Sequence, residues 1–143
     1  MTTKKMFITL GLALASVIVL PTARADEYDQ ASKLTFNQSV QIPGHVLAAG
    51  TYWFVLANIN SRNVVQVFSS DRSNLLATVM TIDEDRLQTT DHTAMTFAER
   101  GAMQPETILS WFYPADPFGH EFVYPKPEEQ ELARAKQRTI TVG

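Results

Sequence analysis

The stretch "TYWFVLANINSRNVVQVFSSDRSNLLATVMTI", Thr51 to Ile82, decides the fold. Thr51–Leu56 is a run of aromatic and β-branched residues, which fit a pleated, half-buried surface. "ANINSRN" is a polar turn, "VVQVFSS" a second such run, and "DRSN" turns the chain into a third, "LLATVMTI". Short apolar runs separated by Asn, Asp and Ser clusters are the pattern of consecutive antiparallel strands.

The pattern continues outward in both directions. In "KLTFNQSVQI", Leu34, Phe36, Val40 and Ile42 fall on even positions, opposite Lys33, Thr35, Asn37 and Gln41. That alternation predicts a half-buried strand, bent near Gln38 and Ser39. Pro43-Gly44 is a turn signal ahead of "HVLAAG". Downstream, "DEDRLQTTDH" reads as an acidic connection and "TAMTFAER" restores alternation. "ETILSWFYP" suits a short helix or a strand, and Pro114 favours the strand. "EFVY" reads as a short extended piece closed by Pro125 and Pro127. These elements predict a mainly β domain, an antiparallel β-sandwich or small barrel, over residues 26–125.

Residues 126–143 differ in composition. "PEEQELARAKQR" places Pro127 near a helix start, acids in the first turn and bases in the last, all suited to the helix dipole. It predicts a short C-terminal helix with Leu132 as its sole large apolar residue and a Glu131–Arg134 pair. "TITVG" is left as an edge strand or a tail.

The N-terminus carries a targeting pattern. Lys4 and Lys5 precede an uncharged apolar run, Met6 to Leu20, followed by Pro21 and an Ala23-Arg24-Ala25 cleavage pattern. The run is 15 residues, short of the roughly 20 that span a bilayer. Residues 1–25 are therefore read as a signal peptide cleaved after Ala25, sending the protein to the periplasm or the exterior with no membrane span left. The chain has no cysteine, so neither disulfides nor thiol chemistry contribute. It holds 15 acidic against 12 basic residues, three of the latter within the leader. An acidic surface repels phosphate backbones, which excludes nucleic acid as a partner.

The segments "VQIPGHVLAAGTYWFVL", "VVQVFSSDRSNLLATVMTI" and "WFYPADPFGHEFVYPK" resemble a group of small secreted bacterial proteins. Their shared pattern is P-G-x-V-L-x-A-G-T-Y, a V-V-Q-I-F-type strand, then F-Y-P-x-D-x-F-G-x-E-F-V-Y-P-K. The resemblance implies export and one β-rich domain, and it brings no catalytic residue with it. "LAAGTYWF" is also similar to the L-P-A-G-T-Y turn of extracellular β-sandwich modules, with Ala48 where those have Pro.

Catalytic signatures are sparse. His45, His92 and His120 form no zinc spacing. An EF-hand loop counted from Asp83 would need Gly where Gln88 stands and Glu where Ala94 stands. No G-x-S-x-G elbow occurs, and no cofactor is expected. The expectation is a non-catalytic binding or structural module for a partner protein, an envelope component or a carbohydrate. Its candidate contact residues are Trp53, Trp111, Tyr113, Asp116, Phe118, His120 and Glu121, six of them in the aromatic stretch 111–124. Alternation sends Trp53 to the face opposite Tyr52 and Phe54, where it either lies beneath 111–124 to complete the core or stands exposed as a platform. The first reading is preferred. Two alternatives remain. One is a small hydrolase using Asp116, His120 and Glu121 in a shared pocket. The other is a barrel carrying an apolar ligand, which Phe36, Phe54, Phe68 and Phe97 would fill if they point inward.

Overall fold

The computed structural model describes residues 24–26, 30–58, 60–101 and 103–142. The expected leader lies outside them except for its last two residues. Eleven strands and one helix follow in order: β1 (Arg24–Asp26), β2 (Ala31–Phe36), β3 (Val40–Ile42), β4 (His45–Leu47), β5 (Gly50–Asn58), β6 (Ser61–Ser69), β7 (Leu75–Asp85), β8 (Thr93–Ala98), β9 (Glu106–Phe112), β10 (Phe118–Phe122), α1 (Lys126–Arg134) and β11 (Gln137–Val142).

The strands form a β-sandwich-like fold from one hydrogen-bonded path that does not close. β1, β2, β5 and β6 make the first layer with the leading half of β7; Val64 to Phe68 pair with Met80 to Leu75. The trailing half of β7 belongs to the second layer, where Thr81 to Asp85 pair with Phe122 to Phe118. That layer continues through β10, β9, β8 and β11, and the β3–β4 hairpin joins the start of β9 in parallel. β7 is therefore common to both layers. Its Ala77, Val79 and Thr81 point inward, while Leu76, Met80 and Ile82 are exposed.

Two turns show how local sequence sets the path. Pro43 and Gly44 fill the two-residue β3–β4 turn, with Gly44 at φ +75°. Proline presets the first of these positions and glycine alone takes positive φ without strain at the second. In the β6–β7 turn the Asp71 carboxylate accepts from the Ser69 and Ser73 hydroxyls and the Ser73 amide, which hold its pKa down at about 2. That turn leaves Arg72 at φ 61°.

Between the layers the rings interlock. Phe36 meets Phe54 and Phe97 edge-on with centroids 6.2 and 6.3 Å apart, and Phe54 contacts Trp111 at 6.5 Å. Trp111 is fully buried, donates from Nε1 to Ser32 Oγ at 3.1 Å, and Ser32 in turn bonds Thr93 at 2.9 Å. The rings of Phe36, Phe54, Phe97 and Trp111 thus occupy the space an apolar cargo would need. Phe68, expected among them, instead pairs with Trp53 on the outer face of the first layer.

The C-terminal residues are integral to the domain. Leu132 of α1 is buried in the main core, and β11 pairs with β8 along its whole length. Glu131 pairs with Arg100 at 3.1 Å rather than with Arg134. The ambiguous segment 106–113 is a strand, because β9 is covered on both faces. "DEDRLQTTDH" is shorter as a connection than its composition suggests: Asp83, Glu84 and Asp85 extend β7, since β10 gives them a partner. Likewise "ANINSRN" is largely strand, with β5 running to Asn58 and β6 starting at Ser61, and the "EFVY" piece begins earlier, at Phe118.

Gly119 sits where β10 crosses the Phe112 ring, and a Cβ there would lie 2.7 Å from Phe112 Cγ. Arg86 packs on that ring, its guanidinium carbon 4.7 Å from the centroid, so the ring has little room to move. We expect Gly119→Ala to lower stability by about 1–3 kcal/mol, the usual cost of overpacking. Adding Phe112→Leu should recover part of that loss. A urea-denaturation double-mutant cycle measures the coupling.

Candidate functional site

The aromatic stretch 111–124 divides its residues between two faces. β10 alternates, so Phe118, His120 and Phe122 share one face and Gly119 and Glu121 the other. His120 is buried and stacked on Trp111, with ring centroids 5.1 Å apart. Glu121 is exposed on the outer face of the second layer. Asp116 lies on the β9–β10 loop, where Oδ2 accepts from Gln30 Nε2 at 3.1 Å and Arg62 Nη2 at 3.3 Å. Its Oδ1 accepts from the Phe118 amide at 2.9 Å. His120 and Glu121 therefore point apart, and Asp116 is committed to bracing its loop. The shared pocket that the hydrolase alternative needs is not formed by these three.

The remaining candidates also separate. Trp111 and Tyr113 are buried, and Phe118 is half exposed at the start of β10. Trp53 does not lie under 111–124. It is on the outer face of the first layer, its Nε1 donating to the Ser70 carbonyl at 2.9 Å. Arg72 sits 4.2 Å from its ring centroid and Lys33 5.9 Å away. Register explains the placement: Lys33, Trp53 and Phe68 stand opposite one another across β2, β5 and β6. The flanking cations take up the ring, so it is neither a core residue nor an open platform.

A residue the sequence reading set aside becomes central. Glu84, at the end of β7, faces the same way as Ile82 and as Glu121 of β10. These three line an open groove of about 380 Å³ between the second layer and α1. Ser110, Val123 and Leu132 line it further. Burial and the neighbouring Glu121 carboxylate push the Glu84 carboxyl above the usual range, against the Ser110 hydroxyl, which lowers it. Glu84 Oε2 is shielded from solvent and has no hydrogen-bond partner among the described residues. The continued alternation of Met80, Ile82 and Glu84 was the available signal for this placement.

The β9–β10 loop is drawn in by Arg86, which donates to the Asp116 carbonyl at 2.9 Å and the Tyr113 carbonyl at 3.1 Å. These bonds and Ala115 N–H to Thr90 O at 2.7 Å hold Ala115 in the left-handed region at φ 62°. Among the described residues no group of three or more His, Cys, Asp or Glu is placed to hold a metal ion. No described helix is long and apolar enough to cross a membrane.

His120 carries a pH dependence. Burial, then the charge of Arg62, lower its pKa below the ordinary 6.5; the Arg62 main chain and the Asp116 and Asp83 carboxylates offset part of this. Below about pH 6.5 the unfolded chain binds a proton that the native ring resists, so stability falls as pH drops from there toward the native pKa. We expect the urea midpoint to decline between pH 7 and 5, and His120→Phe to flatten that part of the profile. An unchanged slope in the variant would assign the loss to other groups.

No protein-family model, no curated protein and no solved structure matches the chain.

Proposed function

We propose that the protein is an exported, non-catalytic binding module that engages a partner protein through the outer groove beside α1. The leader pattern of residues 1–25 supports export. The observation that carries the binding reading is the groove itself, open to solvent and continuous with the exposed Leu76, Met80, Ile82 and Val123. Apolar side chains grouped on one outer face around a concave site mark surfaces that meet other molecules. A solid interior leaves the outside as the place where binding can occur.

Two observations weigh against the other readings. The separation of His120 from Glu121 keeps Asp116, His120 and Glu121 from converging as a catalytic set. A sugar stacking on Trp53 would have to displace Arg72, which already covers the ring at 4.2 Å.

Amide chemical-shift mapping on isotope-labelled protein tests the proposal. Extended synthetic peptides should shift amides of β7, β10 and α1, whereas soluble oligosaccharides should leave them in place. Ile82→Asp should weaken the peptide response about tenfold or more while the fold persists, because a charge replaces apolar contact at the groove. Saccharide-induced shifts centred on Trp53, or turnover of a glycoside or ester, would overturn the proposal.

A further inference from the structure

The groove contains an unusual pairing of chemistry. Glu84 and Glu121 are neighbours on adjacent strands of one face, and burial together with the Glu121 carboxylate raises the cost of ionising Glu84. No described lysine or arginine forms a salt bridge with either; Arg62, Arg100 and Arg138 pair with Asp116, Glu128, Glu131 and Glu106 instead. Two like charges beside apolar walls, with one oxygen shielded and unbonded, form a site that is completed by a positive charge from outside. A divalent metal would need more ligands than are gathered here.

The shape adds a second constraint. Leu76, Thr78, Met80, Ile82 and Glu84 all face outward along β7. Eight residue steps of strand make this face about 27 Å long. It presents two carboxylates at one end and apolar groups at every second residue toward the other, except at Thr78. Resting on the reading of the groove as a partner site, we infer that its occupant is a lysine or arginine side chain on an extended, alternately apolar segment of a partner protein. The basic head lies between Glu84 and Glu121, its methylene stem runs along Ile82 and Val123, and the following apolar residues cover Met80 and Leu76. A small organic cation would leave most of this stripe uncovered. An extended strand has the matching period of two.

Titration calorimetry with three capped peptides tests this. Each carries valine at every second position, and they differ only at the first residue: lysine, its uncharged isostere norleucine, or glutamate. The lysine peptide should bind at least about tenfold more tightly than the norleucine one, and the glutamate peptide more weakly than both. In the Glu84→Gln, Glu121→Gln double variant the lysine and norleucine peptides should become equal. That variant should unfold at the same urea concentration as the parent or a higher one, since a like-charge repulsion is removed. Lowering pH through the raised Glu84 titration should erase the lysine preference in the parent protein.

Equal binding of lysine and norleucine peptides to the parent would overturn the basic-residue inference and leave the groove reading standing. No peptide binding, with groove amides unmoved, would overturn both. Binding to phospholipid vesicles that Met80→Asp abolishes, with no peptide affinity, would likewise overturn both and assign the face to a lipid surface.

Discussion

The indole of Trp111 ties the two layers of the sandwich together. Its ring lies between His120 and Phe54, so it belongs to the second layer by sequence and to the first by contact. Its N–H, removed from water, reaches Ser32 of β2, and Ser32 reaches Thr93, the first residue of β8. A buried donor left unmade costs about 1–3 kcal/mol, so this short polar chain fixes where one layer can rest on the other. The aromatic packing around it is nondirectional by comparison. Phe36, Phe54 and Phe97 fill space, while the Trp111–Ser32–Thr93 line sets registry. That Ser32 and Thr93 are buried follows from this requirement.

With the interior settled in this way, the outer faces divide sharply in character. The first layer meets solvent with Trp53 held under Arg72 and Lys33, away from the exposed edge that β7 supplies. The second layer meets solvent with a groove whose carboxylates lack basic partners within the described fold. The contrast separates aromatic residues that close a structure from acidic residues that leave one open.

Much of this was legible in the sequence, and the failures have identifiable physical causes. Alternation located most strands from Leu34 to Phe97, though the one bent strand read over Lys33–Ile42 is two, β2 pairing with β5 and β3 with β9; the dipole-matched charges located α1. Asp83, Glu84 and Asp85 read as loop because acids are depleted in strands; β10, about thirty-five residues away, gives them a ladder. Trp53 was assigned the correct face relative to Phe54, but no local pattern reveals that Arg72, in a turn almost twenty residues on, covers it. His120 looked like a site residue because it titrates. Its neighbour Trp111 across the strands makes it a core residue instead. The groove escaped the sequence because its two carboxylates come from strands that only the sandwich brings side by side.

The sharing of β7 between layers carries a consequence for how the groove behaves in time. A site built on a peripheral loop can open and close without disturbing the rest of a domain. Here the strand that presents Ile82 and Glu84 also supplies Ala77 and Val79 to the core and hydrogen-bonds to β6 along its leading half. Freeing that strand would break its pairing with both layers together, so the groove floor cannot open as an independent loop does. A partner of the kind proposed would meet a preformed surface, and most of the ordering entropy of association would fall on that partner's own segment.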